Sequence, residues 1–193
     1  MKSKHEKYFT ENLISRYLVG NFFQSIHDLI EQIKFSSILD IGCGEGHLLK
    51  SFELKINNLK CAAVDLDQDE VQDAKKNLPF CDVKVASVYS LPYEKKEFEL
   101  VICTEVLEHL EEPEKAVIEI ERVTSKYIIL SVPREPLWRL MNIARLSYLR
   151  NLGNTPGHLN HWSSASFKAF VSKRLKVQKI VKSVPWTIIL CSK

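Results

Sequence analysis

Ser37-Ile38-Leu39-Asp40-Ile41-Gly42-Cys43-Gly44-Glu45-Gly46-His47 decides the reading of this chain. A short apolar run meets an acid, three glycines alternate with other residues, and a helix can start after them. A strand that ends in a glycine turn is where an open parallel sheet receives a nucleoside-like ligand. The spacing is G-x-G-x-G, not the G-x-G-x-x-G of dinucleotide binding. Asp40 and Glu45 lie in or beside the loop, which holds neither Lys nor Arg. A pyrophosphate calls for backbone donors in a positive field. Carboxylates suit instead a ligand bearing an ammonium and a sulfonium, as S-adenosylmethionine does.

Outward from this stretch the pattern alternates strand and helix. Short runs rich in Val, Ile and Leu predict strands at 37–41, 60–65, 82–86, 99–103 and 126–132, each suited to burial on both faces. Helical spacing predicts helices at 45–55, 68–77 and 112–123, and one long or two short helices over 10–34. A helix from Ser164 to Arg174 precedes strands at 176–182 and 186–191. The Val184-Pro185 connection is too short for a parallel crossover, so that pair is antiparallel. The fold class is α/β: a Rossmann-like, doubly wound, seven-stranded sheet, mostly parallel, with a C-terminal antiparallel hairpin. Residues 1–193 read as one domain, with 1–35 an N-terminal helical cover and 133–162 a lid or substrate-pocket insertion.

Composition sets the class. The 193 residues are 45% apolar and 26% charged, enough for one buried core. No apolar run approaches the roughly 20 residues that span a bilayer. Met1-Lys2-Ser3-Lys4-His5 leads into polar residues rather than a signal-peptide core, so the expected location is cytoplasmic. Cys43, Cys61, Cys81, Cys103 and Cys191 contain no C-x-x-C pair and lie in or beside strands; they read as buried free thiols. The net charge of +3 is unevenly spread. Glu135 is the last acid, and residues 136–193 carry +10 against −7 before them. Such asymmetry suits an anionic partner, although the plainer reading is two halves that neutralise each other across one fold.

The second predicted strand ends Ala62-Ala63-Val64-Asp65-Leu66-Asp67. An acid here, 19 positions after Gly46, can accept both ribose hydroxyls. Asp67, just before Asp69-Glu70, reads as a helix cap. With the glycine loop, these residues make the chain similar to the class I S-adenosylmethionine-dependent methyltransferases. Within them it most resembles the branch holding ubiquinone-biosynthesis O-methyltransferases and many small-molecule enzymes. Ordered motifs cover roughly 36–132. The resemblance implies a cofactor set of Asp40, Gly42, Cys43, Gly44, Gly46, Asp65, Leu66, Ser87, Val88 and Cys103. In it the glycines admit the methionine part, Asp40 faces the ammonium side, Asp65 holds the ribose and Leu66 lies against adenine. The family often has Gly-Asp-Ala where this chain has Ala86-Ser87-Val88; Ser87 can accept the adenine amino group only as an uncharged hydroxyl.

Glu105-Val106-Leu107-Glu108-His109-Leu110 is the second cluster. If helical, Glu105, Glu108 and His109 share one face. Two carboxylates and an imidazole could hold a divalent metal ion. Similar E-x-x-E-H segments occur in ubiquinone-type enzymes and in small-RNA 2′-O-methyltransferases, where a downstream histidine completes a metal site. Gly157-His158-Leu159-Asn160-His161-Trp162 offers such histidines. The metal candidates are Glu105, Glu108, His109 and His158; the catalytic candidates are His109, His158 and His161. Equally, Glu-His-Leu could simply start a surface helix.

Beyond Pro133, Arg134, Arg139, Arg145 and Arg150 alternate with Trp138, Tyr148 and aliphatics. The plain reading is a helix packing its apolar side over the acceptor pocket with arginines in water. The alternative is an amphipathic element touching a membrane or a lipid-linked substrate. The sequence thus implies methyl transfer to a small-molecule, lipid-precursor or sugar acceptor, by O-methylation. RNA 2′-O-methylation, a non-catalytic S-adenosylmethionine-binding partner protein and a dinucleotide oxidoreductase are the competing readings.

Overall fold

In the computed structural model residues 13–193 are described; the N-terminal leader and the first residues of the helical cover lie outside them. A helix α1 (Leu13–Ile30) precedes β1 (Ser37–Ile41), α2 (His47–Ser51), α3 (Glu53–Ile56), β2 (Lys60–Asp65), α4 (Gln68–Asn77) and β3 (Asp82–Val85). Then come β4 (Phe98–Thr104), α5 (Pro113–Val123), β5 (Thr124–Pro133), α6 (Leu137–Ala144), α7 (Ser164–Val171), β6 (Lys176–Val181) and β7 (Trp186–Ser192). One seven-stranded sheet runs β3-β2-β1-β4-β5-β7-β6. The first five strands are parallel, and β7 pairs antiparallel with both β5 and β6.

All five residues of β1 are buried, because alternate side chains enter two cores on opposite faces of the sheet. Leu39 and Ile41 join Val101, Leu130 and the inner sides of α5 and α7. Ile38 joins Ile102, Ile129 and residues of α1, α2, α3 and α4. Each such fully buried Leu or Ile contributes about 1.5–3 kcal/mol. That doubly covered burial is what the continuous apolar runs encoded. Asp67 caps α4 by accepting the N–H groups of Asp69 at 2.9 Å and Glu70 at 3.5 Å. The chain moves outward from β1 through β2 to β3, then returns to lay β4 on the other side of β1. That switch point opens a crevice at the C-terminal ends of β1 and β4.

One expectation fails here. Cys61 and Cys81 are not free thiols but are joined as a disulfide. Cys61 directly precedes the part of β2 that pairs with β3, and Cys81 directly precedes β3. The register Ala62 to Asp82 sets them side by side, with Cα atoms 4.7 Å apart. Cys43, Cys103 and Cys191 remain free, the last two buried. In the 133–162 segment, α6 turns Trp138 and Asn142 inward, half-buries Leu137 and Met141, and leaves Leu140 and Ile143 exposed. No helix among the described residues is long and apolar enough to cross a membrane.

Candidate methyl-donor and acceptor sites

The glycine loop sits at the switch point. Gly42 and Cys43 both donate backbone N–H groups to the carbonyl of Val64, at 2.8 and 3.1 Å, tying the loop to the end of β2. Gly42, Gly44 and Gly46 all have left-handed φ, 73°, 53° and 81°, which disfavours any residue with a side chain. Their surroundings separate them. A Cβ on Gly42 would lie 2.2 Å from Val106 Cγ2, and one on Gly46 would lie 2.6 Å from Leu78. A Cβ on Gly44 would meet nothing closer than Glu70 Oε2 at 3.7 Å, so this backbone faces open space.

Asp65 closes the loop from the neighbouring strand. Its Oδ2 accepts from Gly44 N at 2.8 Å and its Oδ1 from Asp67 N at 3.0 Å. Each oxygen keeps lone-pair capacity for a ligand hydroxyl. Asp40 is buried beneath, and its Oδ1 has no hydrogen-bond partner among the described residues. Burial, reinforced by the Asp65 charge, pushes its carboxyl up to about 7. A buried acid with an orphaned oxygen, an open glycine backbone and a basic-free loop fit a cationic nucleoside such as S-adenosylmethionine.

The other expected cofactor residues spread around this crevice. Leu66 is exposed at the end of β2. Ser87 Oγ accepts the Tyr89 N–H at 3.2 Å within its turn. Val88 and Cys103 put their side chains into the core, which leaves only backbone for a ligand contact. The Cys43 and Cys103 thiols are both driven up, first by burial and then by the Asp40 charge, so neither is a nucleophile.

The candidate acceptor side begins where β4 ends. Glu105 does not continue into a helix: its φ is 59°, and only Leu107–His109 form a short 3-10 turn. Its carboxylate accepts from Ser131 Oγ at 3.0 Å and Trp186 Nε1 at 2.7 Å, which fixes it against β5 and β7. Glu105 is therefore apart from the cluster that the sequence spacing suggested. Glu108, His109 and His158 do converge, with one potential ligand atom from each lying within 4.8 Å of the others. The two imidazoles meet edge-on, centroids 4.8 Å apart, and Trp138 stacks on His158 at 5.9 Å. His161 stands outside this group, bonded through Nε2 to Asn154 Oδ1 at 2.8 Å. Burial and then Arg139 hold its pKa low.

His109 has an assigned tautomer. Nδ1 lies 2.9 Å from the Gly157 carbonyl, which can only accept, so Nδ1 carries the proton. Nε2 is then the basic nitrogen, and it lies on the Glu108 side, 3.9 Å from Oε1. Asn160 was missed in the sequence, overshadowed by the histidines flanking it. Its side-chain amide donates to the Leu107 and Leu110 carbonyls at 3.2 and 2.6 Å. The Glu108 carbonyl in return accepts from Leu159 and Asn160 at 2.8 and 3.0 Å. Val106, one residue past Glu105, packs over Gly42, so the two sites share a wall.

Residues 39–129 match the family model described as methyltransferase domain. A curated relative, an uncharacterized methyltransferase of Schizosaccharomyces pombe, is 30% identical over 102 residues, 47% of this chain and 37% of that protein. This chain spans 29% to 59% of the length of four curated relatives. Among solved structures, a methyltransferase in complex with the Haloferax volcanii Trm112 activator superposes with TM-score 0.72 at 13% identity, covering 90% of each chain. Magnesium protoporphyrin IX methyltransferase from Synechocystis, solved with bound SAH, gives 0.68 at 17% identity, covering 94% of this chain and 88% of that one. Residues 39–129 thus match a methyltransferase domain, similar to those of the class I S-adenosylmethionine-dependent methyltransferases, within a fold shared with solved methyltransferases.

Proposed function

We propose that this chain methylates a hydroxyl of a small-molecule, lipid-precursor or sugar acceptor placed against Glu108, His109 and His158. The observation that carries this is the shared wall: Val106 packs on Gly42 of the donor loop and directly precedes the turn bearing Glu108 and His109. S-adenosylmethionine, when bound, supplies an electrophilic methyl on a good leaving group. What remains is to orient the acceptor in line and remove its proton. Asp65 takes the ribose hydroxyls and Asp40 balances the ammonium. His109, its tautomer set by Gly157, presents Nε2 as the proton acceptor. Asn160 holds the turn so that this nitrogen keeps its place.

The same three residues, one carboxylate and two imidazoles, fit a divalent cation. Glu108, His109 and His158 would hold it, and it would lower the pKa of an acceptor hydroxyl. The test is transfer of tritiated methyl from S-adenosylmethionine into fractionated extract, with and without chelator. Labelled product from the native chain and about 100-fold less from His109→Gln is the expected result. Bound S-adenosylmethionine with no labelled product from any fraction would leave a nucleoside-binding protein instead. Activity indifferent to chelator removes the metal and leaves His109 as the base.

A further inference from the structure

The segment after β5 begins with α6. Its one buried side chain is an amide: Asn142 is 2% exposed, donating to the Gly153 carbonyl at 2.8 Å and accepting from Arg145 at 2.6 Å. Two of its aliphatics face the other way, Leu140 57% exposed and Ile143 also outward, while Leu137 and Met141 are half-buried. The chain then folds back on α6. A Cβ on Gly153 would come 2.3 Å from the Arg139 carbonyl and 3.0 Å from Ile143, so the returning leg lies directly against the helix. That leg adds Leu146, 78% exposed, Leu149, and Leu152, 74% exposed. Because Asn142, bonded at both ends of its amide, and Trp138 occupy the inner side of this segment, the exposed aliphatics are displayed rather than left over from an incomplete core.

Charge decides what the face meets. Arg145 and Arg150 stand among these leucines, and no acidic residue follows Glu135 in the sequence. Exposed aliphatics interspersed along the chain with Arg145 and Arg150, with Tyr148 also exposed, match the acyl boundary and phosphates of an anionic bilayer. A symmetric contact with a second copy would set the arginines against each other. We propose that residues 137–152 dock this chain reversibly on a surface of anionic phospholipid. The inner side of the same element is Trp138, which stacks on His158, so docking would set the acceptor cluster at the lipid surface. The docking itself does not depend on which reaction the cluster performs.

The test is co-sedimentation of the full chain with vesicles of phosphatidylcholine alone and with about 30% phosphatidylglycerol. Native protein should sediment with the anionic vesicles, less so as salt rises. Leu146→Asp with Leu149→Asp should weaken that binding by at least about tenfold. Arg145→Gln with Arg150→Gln should abolish the preference for anionic lipid. Both pairs are exposed, and an unchanged thermal melt will show that the variants fold. Leu146→Gln alone, at the most exposed position, should still weaken binding if the double variant does not fold. The proposal is overturned if native protein ignores both vesicles or if the variants sediment like native. Concentration-dependent dimers lost in the leucine variants, without vesicle binding, would also overturn it, by showing a protein interface.

Discussion

The donor crevice and the acceptor cluster are neighbours, yet they are built by opposite means. On the donor side the hydrogen bonds that shape the loop are local: loop, strand end and cap fall within residues 40–70. On the acceptor side the parts come from distant segments. Glu105 is positioned by Ser131 and Trp186, 26 and 81 residues away, and His109 by Gly157, 48 residues away. The donor side is thus a backbone conformation, and the acceptor side is an assembly of tertiary contacts. Mutation should expose that difference.

The largest effect is expected at the acceptor side. His109→Ala should lower turnover by about 10³-fold while leaving S-adenosylmethionine affinity within about twofold of native, by calorimetry. Loss of affinity alongside activity would break the separation between the two sites. Next comes the wall they share. Gly42→Ala forces a Cβ to 2.2 Å from Val106 in a left-handed conformation, and should cost about 3 kcal/mol in denaturant unfolding. Val106→Ala should recover part of that loss. Gly44→Ala, with open space around it, should cost only about 1 kcal/mol. Equal destabilisation by the two substitutions would mean that steric contact with Val106 is not what demands glycine at 42.

The same difference explains what could be read from the sequence. β1, β2, β4, β5 and β7 were legible because burial on both faces needs continuous Val, Ile and Leu runs. Asp65 and Asp67 were legible because a strand end and a helix cap each fix their own acid nearby. The segment Glu105–His109 was not. Its i, i+3, i+4 spacing suits a helix, but Glu105 is pulled into left-handed backbone beside its partners on β5 and β7. Asn160, Trp138 and Trp186 carry no local motif, and their roles appear only once the chain has folded. The Cys61–Cys81 pairing needed the β2–β3 register, which spacing alone does not give. Asn142 was not legible either, because a buried amide on the inner side of the lid beside Trp138 carries no local motif.

Asp65→Ala gives the third test, smaller because the backbone of the loop stays bonded to Val64. S-adenosylmethionine affinity should fall by at least about tenfold, roughly the two hydroxyl contacts of a ribose. Unchanged affinity would refute the ribose assignment and return Asp65 to a purely structural role, closing the loop through Gly44 and Asp67.

The smallest expected effect bears on why the donor side is acidic. Burial and then the Asp65 charge raise the Asp40 carboxyl to about 7, against about 3.9 for an exposed aspartate. Between about pH 4 and 7 the folded chain therefore holds a proton that the unfolded chain has lost. This group's contribution to stability is full below pH 4 and declines as pH rises to about 7. Asp40→Asn should flatten that decline in thermal melts. A cationic ligand beside Asp40 favours the carboxylate, so binding should release a proton below pH 7. Affinity for S-adenosylmethionine should then climb by up to about tenfold from pH 6 to 8 and level off, while the Asn variant stays flat. A flat native profile would mean that Asp40 does not meet the charge of the ligand, and that the donor side works through its glycine backbone and Asp65 alone.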